Sequence, residues 1–482
     1  MKIFSGNEDS LSAKIRGDRP LAFRQRLSLA VMLSVPAIMA QLSAVIMEYI
    51  DASMVGSLGA DASASIGLVA TSTWLFMGVC SAFATGFSVQ VAHLLGAGRR
   101  DAARSVLRQA IVAATVFSVL LAIIGVAISG PLPAWLGGND EINGNATLYF
   151  RVFSLSLPVL QLSFLSSGML RCSGNMVVPG VLGVVMCLLD VVFNFFMIFP
   201  TREVMLAGIG VTVPGMGLGV WGAAVGTALA EAVVVALLLY HLWFRPSEIK
   251  LSGEKGSFMP RMETLKRAYK IGLPMGVERF VTSAAQITLT VIVAPLGTAS
   301  IAANAFAITA ESLCYMPGYG IADAATTLVG QSLGAGRCVL ARKFAYMTVG
   351  MGMVVMTVMG VVMYLAAPLM IGVMTPDREI LDLGVMALRT EAWAEPMFAA
   401  SIVAYGAFVG AGDTVVPCVM NFGSMWVIRI TLAAVLAPVM GLHGVWVAMC
   451  IELCCRGVMF LVRLRSGCWM NRINKINDYA EI

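Results

Sequence analysis

Two pairs of polar residues in this chain are placed to move a cation. Glu48 and Asp51 stand three residues apart in an otherwise apolar stretch, and Asp190 and Asn194 stand four apart in another. On a helix either spacing puts both side chains on one face. Two carboxylates side by side in a low-dielectric setting cannot both carry charge cheaply, so such a pair can take up and release a proton. A carboxylate beside an amide can hold a proton or offer oxygen ligands to a small cation. The structural alternatives are a carboxylate at the water boundary for the first pair and a hydrogen-bonded helix contact for the second. Thr227 and Glu231, on a later apolar stretch, are candidates to face the second pair.

The second half of the chain mixes both signs. Glu278 and Arg279 follow Pro274, so a carboxylate lies one turn past a helix irregularity, where freed carbonyls can add ligands. Glu311 stands alone, and Glu391 and Glu395 are stacked, the second against Pro396. These three are candidates for lining a cavity, with pairing to Arg429 or Arg279 as the structural alternative for the stacked two. Glu452 and Arg456 have the spacing of an intrahelical ion pair, which is their expected role.

The elements that must position these groups follow from composition. The chain is 59% hydrophobic and 12% charged, against about 25% charged in a soluble domain. This is an integral membrane protein, and an ionisable group inside a span is costly enough to count as a functional candidate. Apolar segments near the ~20 residues a spanning helix needs fall at 27–53, 62–86, 105–129, 148–169, 177–199 and 219–242, then at 270–294, 300–325, 344–371, 385–408, 415–437 and 442–463. The expected class is an all-α polytopic membrane protein with twelve spans. Residues 1–26 form a basic tail ending in a surface helix, 243–269 a polar linker, and 465–482 a second tail. The segment 201–217 is expected as a loop on the face opposite the tails.

With both termini inside, 25 of the 32 Lys and Arg fall on the cytoplasmic side. That bias orients the protein in the cell membrane and accounts for the net charge of +5 without nucleic acid. The ten cysteines are scattered and read as small apolar residues. No Walker A loop, HExxH motif or convergent His/Cys site is present, so neither an enzyme nor a bound cofactor or metal is expected. The 48 glycines suit close helix packing, and the 32 methionines suit a pocket that accepts varied shapes.

The chain is also internally duplicated. Leu95-Gly96-Ala97-Gly98-Arg99 returns as Leu333-Gly334-Ala335-Gly336-Arg337, a shift of 238 positions. The same shift carries Pro36 onto Pro274, Leu58-Gly59 onto Leu296-Gly297, Arg151 onto Arg389, Pro158 onto Pro396, and Val177-Val178-Pro179 onto Val415-Val416-Pro417. The molecule is therefore two parallel six-span lobes, 27–242 and 270–464, with function to be sought between or within them.

In this order the motifs resemble the multidrug and toxic compound extrusion (MATE) family over roughly residues 27–465. They are Pro36-x4-Gln41, Asp51-x2-Met54-Val55-Gly56-x2-Gly59-Ala60, Gly219-Val220-Trp221-Gly222-Ala223-Ala224, and Ala294-Pro295-Leu296-Gly297-Thr298 leading into Ile301-Ala302-Ala303. Both LGAGR stretches and the run holding Gly410, Gly412, Asp413 and Pro417 complete them. The resemblance implies a V-shaped cavity between the lobes. It implies alternating-access export of drug-like, mostly cationic compounds by a functional monomer, in exchange for H⁺ or Na⁺. It implies cation coupling at Asp51, Asp190, Asn194, Thr227 and Glu278, with Pro36 as the hinge of span 1. Glu48, Glu231, Glu311, Glu391 and Glu395 are then substrate-cavity candidates. In many relatives span 5 carries Asn and then Asp four residues on; here the order is reversed. The alternative within the wider superfamily is a flippase for lipid-linked saccharides.

Overall fold

The structure, a computed structural model, describes residues 9–17, 21–206, 209–253 and 256–473. Among these, twelve helical columns cross the molecule. The first lobe holds α1 (Phe23–Gly56), α2 (Ala60–Gly96), α3 (Arg100–Ile128), α4 (Asp140–Cys172), α5 (Val177–Ile198) and α6 (Val220–Phe244). The second holds α7 (Met262–Val293), α8 (Thr298–Gly334), α9 (Cys338–Gly372), α10 (Arg378–Glu391 with Glu395–Gly410), α11 (Val415–Met440) and α12 (Leu442–Ser466). Ten of these columns are long and apolar enough to cross a membrane on their own, and the bent α10 makes eleven. The twelfth, α8, is more polar along its length, and its faces are covered by α1, α2, α9 and α10.

The duplication survives in the helix ends. The bounds of α2 shifted by 238 are the bounds of α8, and those of α4 are the outer bounds of α10. Between α6 and α12 the shift drops to 222, sixteen residues fewer. The difference is the segment expected as a loop. It folds as an antiparallel hairpin of β1 (Pro200–Leu206) and β2 (Ile209–Met216), which the second lobe lacks.

Two spans are less regular than their hydropathy implies. α10 bends by 61° between its halves, just before Pro396, which lies in the first turn of the second half and has no N–H to donate. α11 contains a π-helical stretch, Ser424–Ile430, which carries Arg429. The helix expected in the N-terminal tail is Asp9–Arg16. Leu11 and Ile15 are buried by residues of both lobes, Leu29, Leu33, Met176, Leu340 and Phe344 among them.

The lobes meet at the end that carries the two LGAGR stretches. There α2 and α8 cross so closely that a Cβ on Gly96 would strike the Gln331 carbonyl, and one on Gly334 the His93 carbonyl. His93 and Gln331 are themselves related by the shift of 238, so the contact is reciprocal. Their side chains repeat the relation: His93 Nε2 lies 2.8 Å from the Gly410 carbonyl, and Gln331 Nε2 donates to the Cys172 carbonyl at 2.8 Å. Gly98 and Gly336, at φ +77° and +71°, end both helices in the left-handed region that glycine alone enters freely. Arg171 pairs with Asp323 across the same seam at 2.6 Å. At the opposite tips, Gly59 and Gly297 have nothing within 4 Å of an added Cβ. The close lobe-to-lobe contacts named above all lie toward one end.

A side chain at the crossing must push the helices apart, at a cost of about 1–3 kcal/mol. Gly334→Val should therefore speed maleimide labelling of Cys172, which is 4% exposed beneath the seam. Mass spectrometry of the labelled protein reads this directly, and an unchanged rate would contradict the tight crossing.

Candidate functional site

The first lobe brings three of the sequence candidates into one hydrogen-bonded group. Asn194 Nδ2 donates to Asp51 Oδ1 at 2.8 Å and to Asp190 Oδ2 at 3.0 Å. One amide therefore bridges carboxylates from α1 and α5. Asp190 and Asn194 are both 0% exposed, and Asp51 is half-buried. Gly226 of α6 makes room for this: a Cβ there would collide with Asn194 Oδ1. Thr227, the next residue, lies beside Asp190, and Tyr149 of α4 lies near Asp51 and Asp190. Asp190 Oδ1 and Asn194 Oδ1 are buried with no hydrogen-bond partner among the described residues. With Asp51 they form a set of oxygens that suits a proton or a small hard cation.

The reversed order on span 5 is compatible with this geometry. Positions 190 and 194 are one turn apart on the same face, and here the amide is the member that reaches across to α1. Pro36 lies inside α1 toward the joined end of the lobes and is packed on two sides. A Cβ on Gly180 of α5 would come within 2.7 Å of the Pro36 carbonyl, and one on Gly320 of α8 within 2.6 Å of the Ile38 nitrogen. α1 is thus gripped at one end and carries the acid at the other.

The remaining candidates stand apart from this group. Glu48 is exposed, one turn from Asp51, and its charge acts on Tyr315 of α8 in the other lobe. Glu231 lies against Ser163 of α4. Glu278 belongs to the second lobe, where Tyr405 Oη donates to Oε2 and Asn421 Nδ2 to Oε1, each at 2.5 Å.

Glu311, Glu391 and Glu395, expected to line a cavity, are instead enclosed within the second lobe, at 6%, 0% and 0% exposed. The cause is the bend of α10. It turns Glu391 and Glu395 inward, and a Cβ added to Gly360 of α9 would lie only 3.1 Å from Glu395 Cβ. Arg429 does not pair with them. It closes on Glu452 at 2.7 Å, with Arg456 on the same carboxylate at 2.9 Å. The expected pair of Glu452 and Arg456 is thus part of a buried triad.

Sequence reasoning did not single out Tyr149, Tyr405 or Asn421. The available signal was a polar side chain inside an apolar span, which is faint for a tyrosine and common for a single amide.

The geometry defines a polytopic membrane transporter rather than an enzyme: two duplicated helical lobes, joined at one end, with a bridged acid pair inside one of them. The MatE family model matches residues 36–196 and again 274–435, one match per lobe, and the chain belongs to that family. It is 26% identical over 448 residues to a probable multidrug resistance protein NorM of Thermotoga maritima, covering 92% of this chain and 93% of the relative. It is 24% identical over 454 residues to the multidrug resistance protein MdtK of Yersinia pestis, covering 91% and 94%. Among solved structures, a crystal structure of a MATE protein in complex with MaL6 superposes with a TM-score of 0.85 at 20% identity, over 97% of this chain and 99% of that one.

The two polar clusters should respond differently to substitution. Arg429→Met leaves Glu452 buried with Arg456 as its one basic partner among the described residues, which costs about 3–5 kcal/mol for a broken buried pair. It should lower the melting temperature in detergent and reduce the folded yield. Asn194→Leu removes the bridge between two carboxylates and should change melting far less while abolishing transport. Equal destabilisation by both would contradict the division into structural and working clusters.

Proposed function

We propose that this protein is a secondary-active multidrug efflux transporter that exchanges organic, mostly cationic compounds for H⁺ or Na⁺. The bridged pair Asp51–Asn194–Asp190 is the observation that carries the reading. Two carboxylates held by one amide in a nearly dry site bind one proton or one sodium ion readily, because the bound cation relieves their mutual repulsion. Thr227 completes the wall of this site, and Glu278 is a candidate acid of the second lobe at a position the duplication does not relate to Asp51.

Coupling needs a step in which cation and substrate exclude one another. Asp51 lies on α1, which also touches the other lobe at Gly320. Cation binding at Asp51 draws α1 toward α5, and the packed turn at Pro36 takes up the rearrangement. The cavity wall then loses its negative charge, so a cationic substrate is released. Return of the cation to the other side restores the charge. The Lys and Arg distribution supports a cytoplasmic position for the joined, LGAGR-bearing end and both termini, in the cell membrane. The arrangement described is then open to the outside, and a single chain contains both lobes and suffices for the cycle.

The test is efflux of a fluorescent organic cation from reconstituted vesicles under an inward proton gradient or an inward sodium gradient. Export should follow one gradient and be lost in Asp51→Asn at normal folded yield. Export by that variant at the wild-type rate, or none by wild type under either gradient, would contradict the reading.

A further inference from the structure

We infer that the tail helix Asp9–Arg16 is a strap across the LGAGR seam. It stays with the first lobe, and it must let go of the second before the lobes can part at that end. The inference rests on the exporter reading above, because an alternating cycle is what requires the seam to open.

Polar groups fasten the helix to the first lobe. Ser12 Oγ donates to Glu248 Oε1 at 2.6 Å, and Arg100 Nη2 of α3 donates to the same oxygen at 2.8 Å. Arg104 Nε, one turn along α3, donates to the Glu248 carbonyl at 3.2 Å. Glu248 is buried, and the next residues, Ile249 and Leu251, sit in the first lobe's core with Leu107, Leu238 and Leu242. The linker is thus part of the first lobe here, and the helix is bonded to it. Two tight approaches add to this. A Cβ on Gly174 would come within 2.6 Å of Leu11 Cδ2, and one on Gly98 within 2.7 Å of Arg16 Nη1. The chain also reaches α1 at Phe23, a short tether to the same lobe.

The grip on the second lobe is of another kind. Arg337, the last residue of the second LGAGR stretch, donates through Nη1 to the Ile15 carbonyl at 2.8 Å and to the Gly17 carbonyl at 2.6 Å. These carbonyls lie at the end of the helix, where acceptors lack intrahelical donors and the dipole favours a cation. On the apolar side, Leu11 and Ile15 share a core with Leu328 of α8 and with Leu340 and Phe344 of α9. Parting of the lobes at this end breaks the charge-assisted bonds and returns Ile15 to water. Both losses fall on the open state alone, so the strap biases the protein toward a closed seam.

Among the described residues the contact is made once, not twice. Gly336, which the shift of 238 relates to Gly98, has nothing within 4 Å of an added Cβ. The reciprocal seam is therefore crossed by one asymmetric element.

The first arm of the test reads the far end of the molecule, where uncovering a surface near the strap has no local effect. Spin labels go on Ser57 and Thr298, with the exposed Cys338 and Cys468 replaced by serine. Ile15→Asp should move the ratio of the two distance populations about tenfold toward the shorter distance, the scale of exposing one large aliphatic side chain. The second arm holds the strap down. Gly17→Cys is joined to Cys338, the residue after Arg337, by a bismaleimide with a reducible bridge, Cys468 again being serine. Linking should stop export of a fluorescent organic cation from vesicles, and reduction should restore it. An unchanged distance ratio in Ile15→Asp, or export by the linked protein at the rate of the reduced one, would overturn the inference. So would a pair that does not link. If wild type exports no organic cation under either ion gradient, the exporter reading fails, and the strap's place in a transport cycle falls with it whatever the distances show.

Discussion

A charge inside a membrane must be neutralised, paired or matched with a mobile ion, and the two lobes meet this demand differently. In the second lobe the answer is fixed at Glu452, while Glu311, Glu391 and Glu395 are buried with oxygens that have no hydrogen-bond partner among the described residues. Arg429 and Arg456 enclose Glu452, and Tyr405 and Asn421 each donate to one oxygen of Glu278. In the first lobe it is left open. Asn194 can donate to both Asp51 and Asp190, but one amide nitrogen cannot cancel two negative charges. Such an arrangement is stable only with a proton or cation present, which makes its occupancy sensitive to the medium. A site of that kind can do work, whereas a saturated one mainly holds the helices together.

That sensitivity matters only if it reaches the shape of the molecule. The path is short. α1 carries Asp51, packs on α5 at Gly180 and on α8 at Gly320, and so belongs to both lobes. Close backbone approach makes these joints stiff. The α2–α8 crossing supplies the other half of the requirement, a seam of reciprocal contacts that is intact as a unit or broken as a unit. His93 with Gly410 and Gln331 with Cys172 are the same contact made twice. A pseudo-symmetric seam of this kind suits two discrete states better than a continuous range.

Much of this was legible in the residues. Twelve spans, the duplication and its offset follow from hydropathy and from glycine and proline positions, because lipid demands continuous helices and close packing demands glycine. Asp51, Asp190 and Asn194 were legible for the same reason, since polar groups on a shared helix face in an apolar span need an explanation. The bend in α10 was not, although Pro396 marks its place, because hydropathy runs straight across it. That bend is also why Glu391 and Glu395, which resemble cavity residues in sequence, are enclosed instead. The hairpin after α5 was seen as an insertion but not as strands. The partners of Glu278 come from α10 and α11, more than 120 positions away, and no local pattern brings them together.

In the proposed mechanism the charge state of the bridged acid pair sets the separation of the lobes. Spin labels on Ser57 and Thr298, at the tips of the two lobes away from the LGAGR crossing, measure it directly by electron–electron distance distributions in lipid nanodiscs. The account predicts two populations whose ratio moves with pH or with sodium, and a ratio that no longer moves when Asp190 is replaced by Asn. A distribution insensitive to both ions, or one that still responds fully without Asp190, would contradict it.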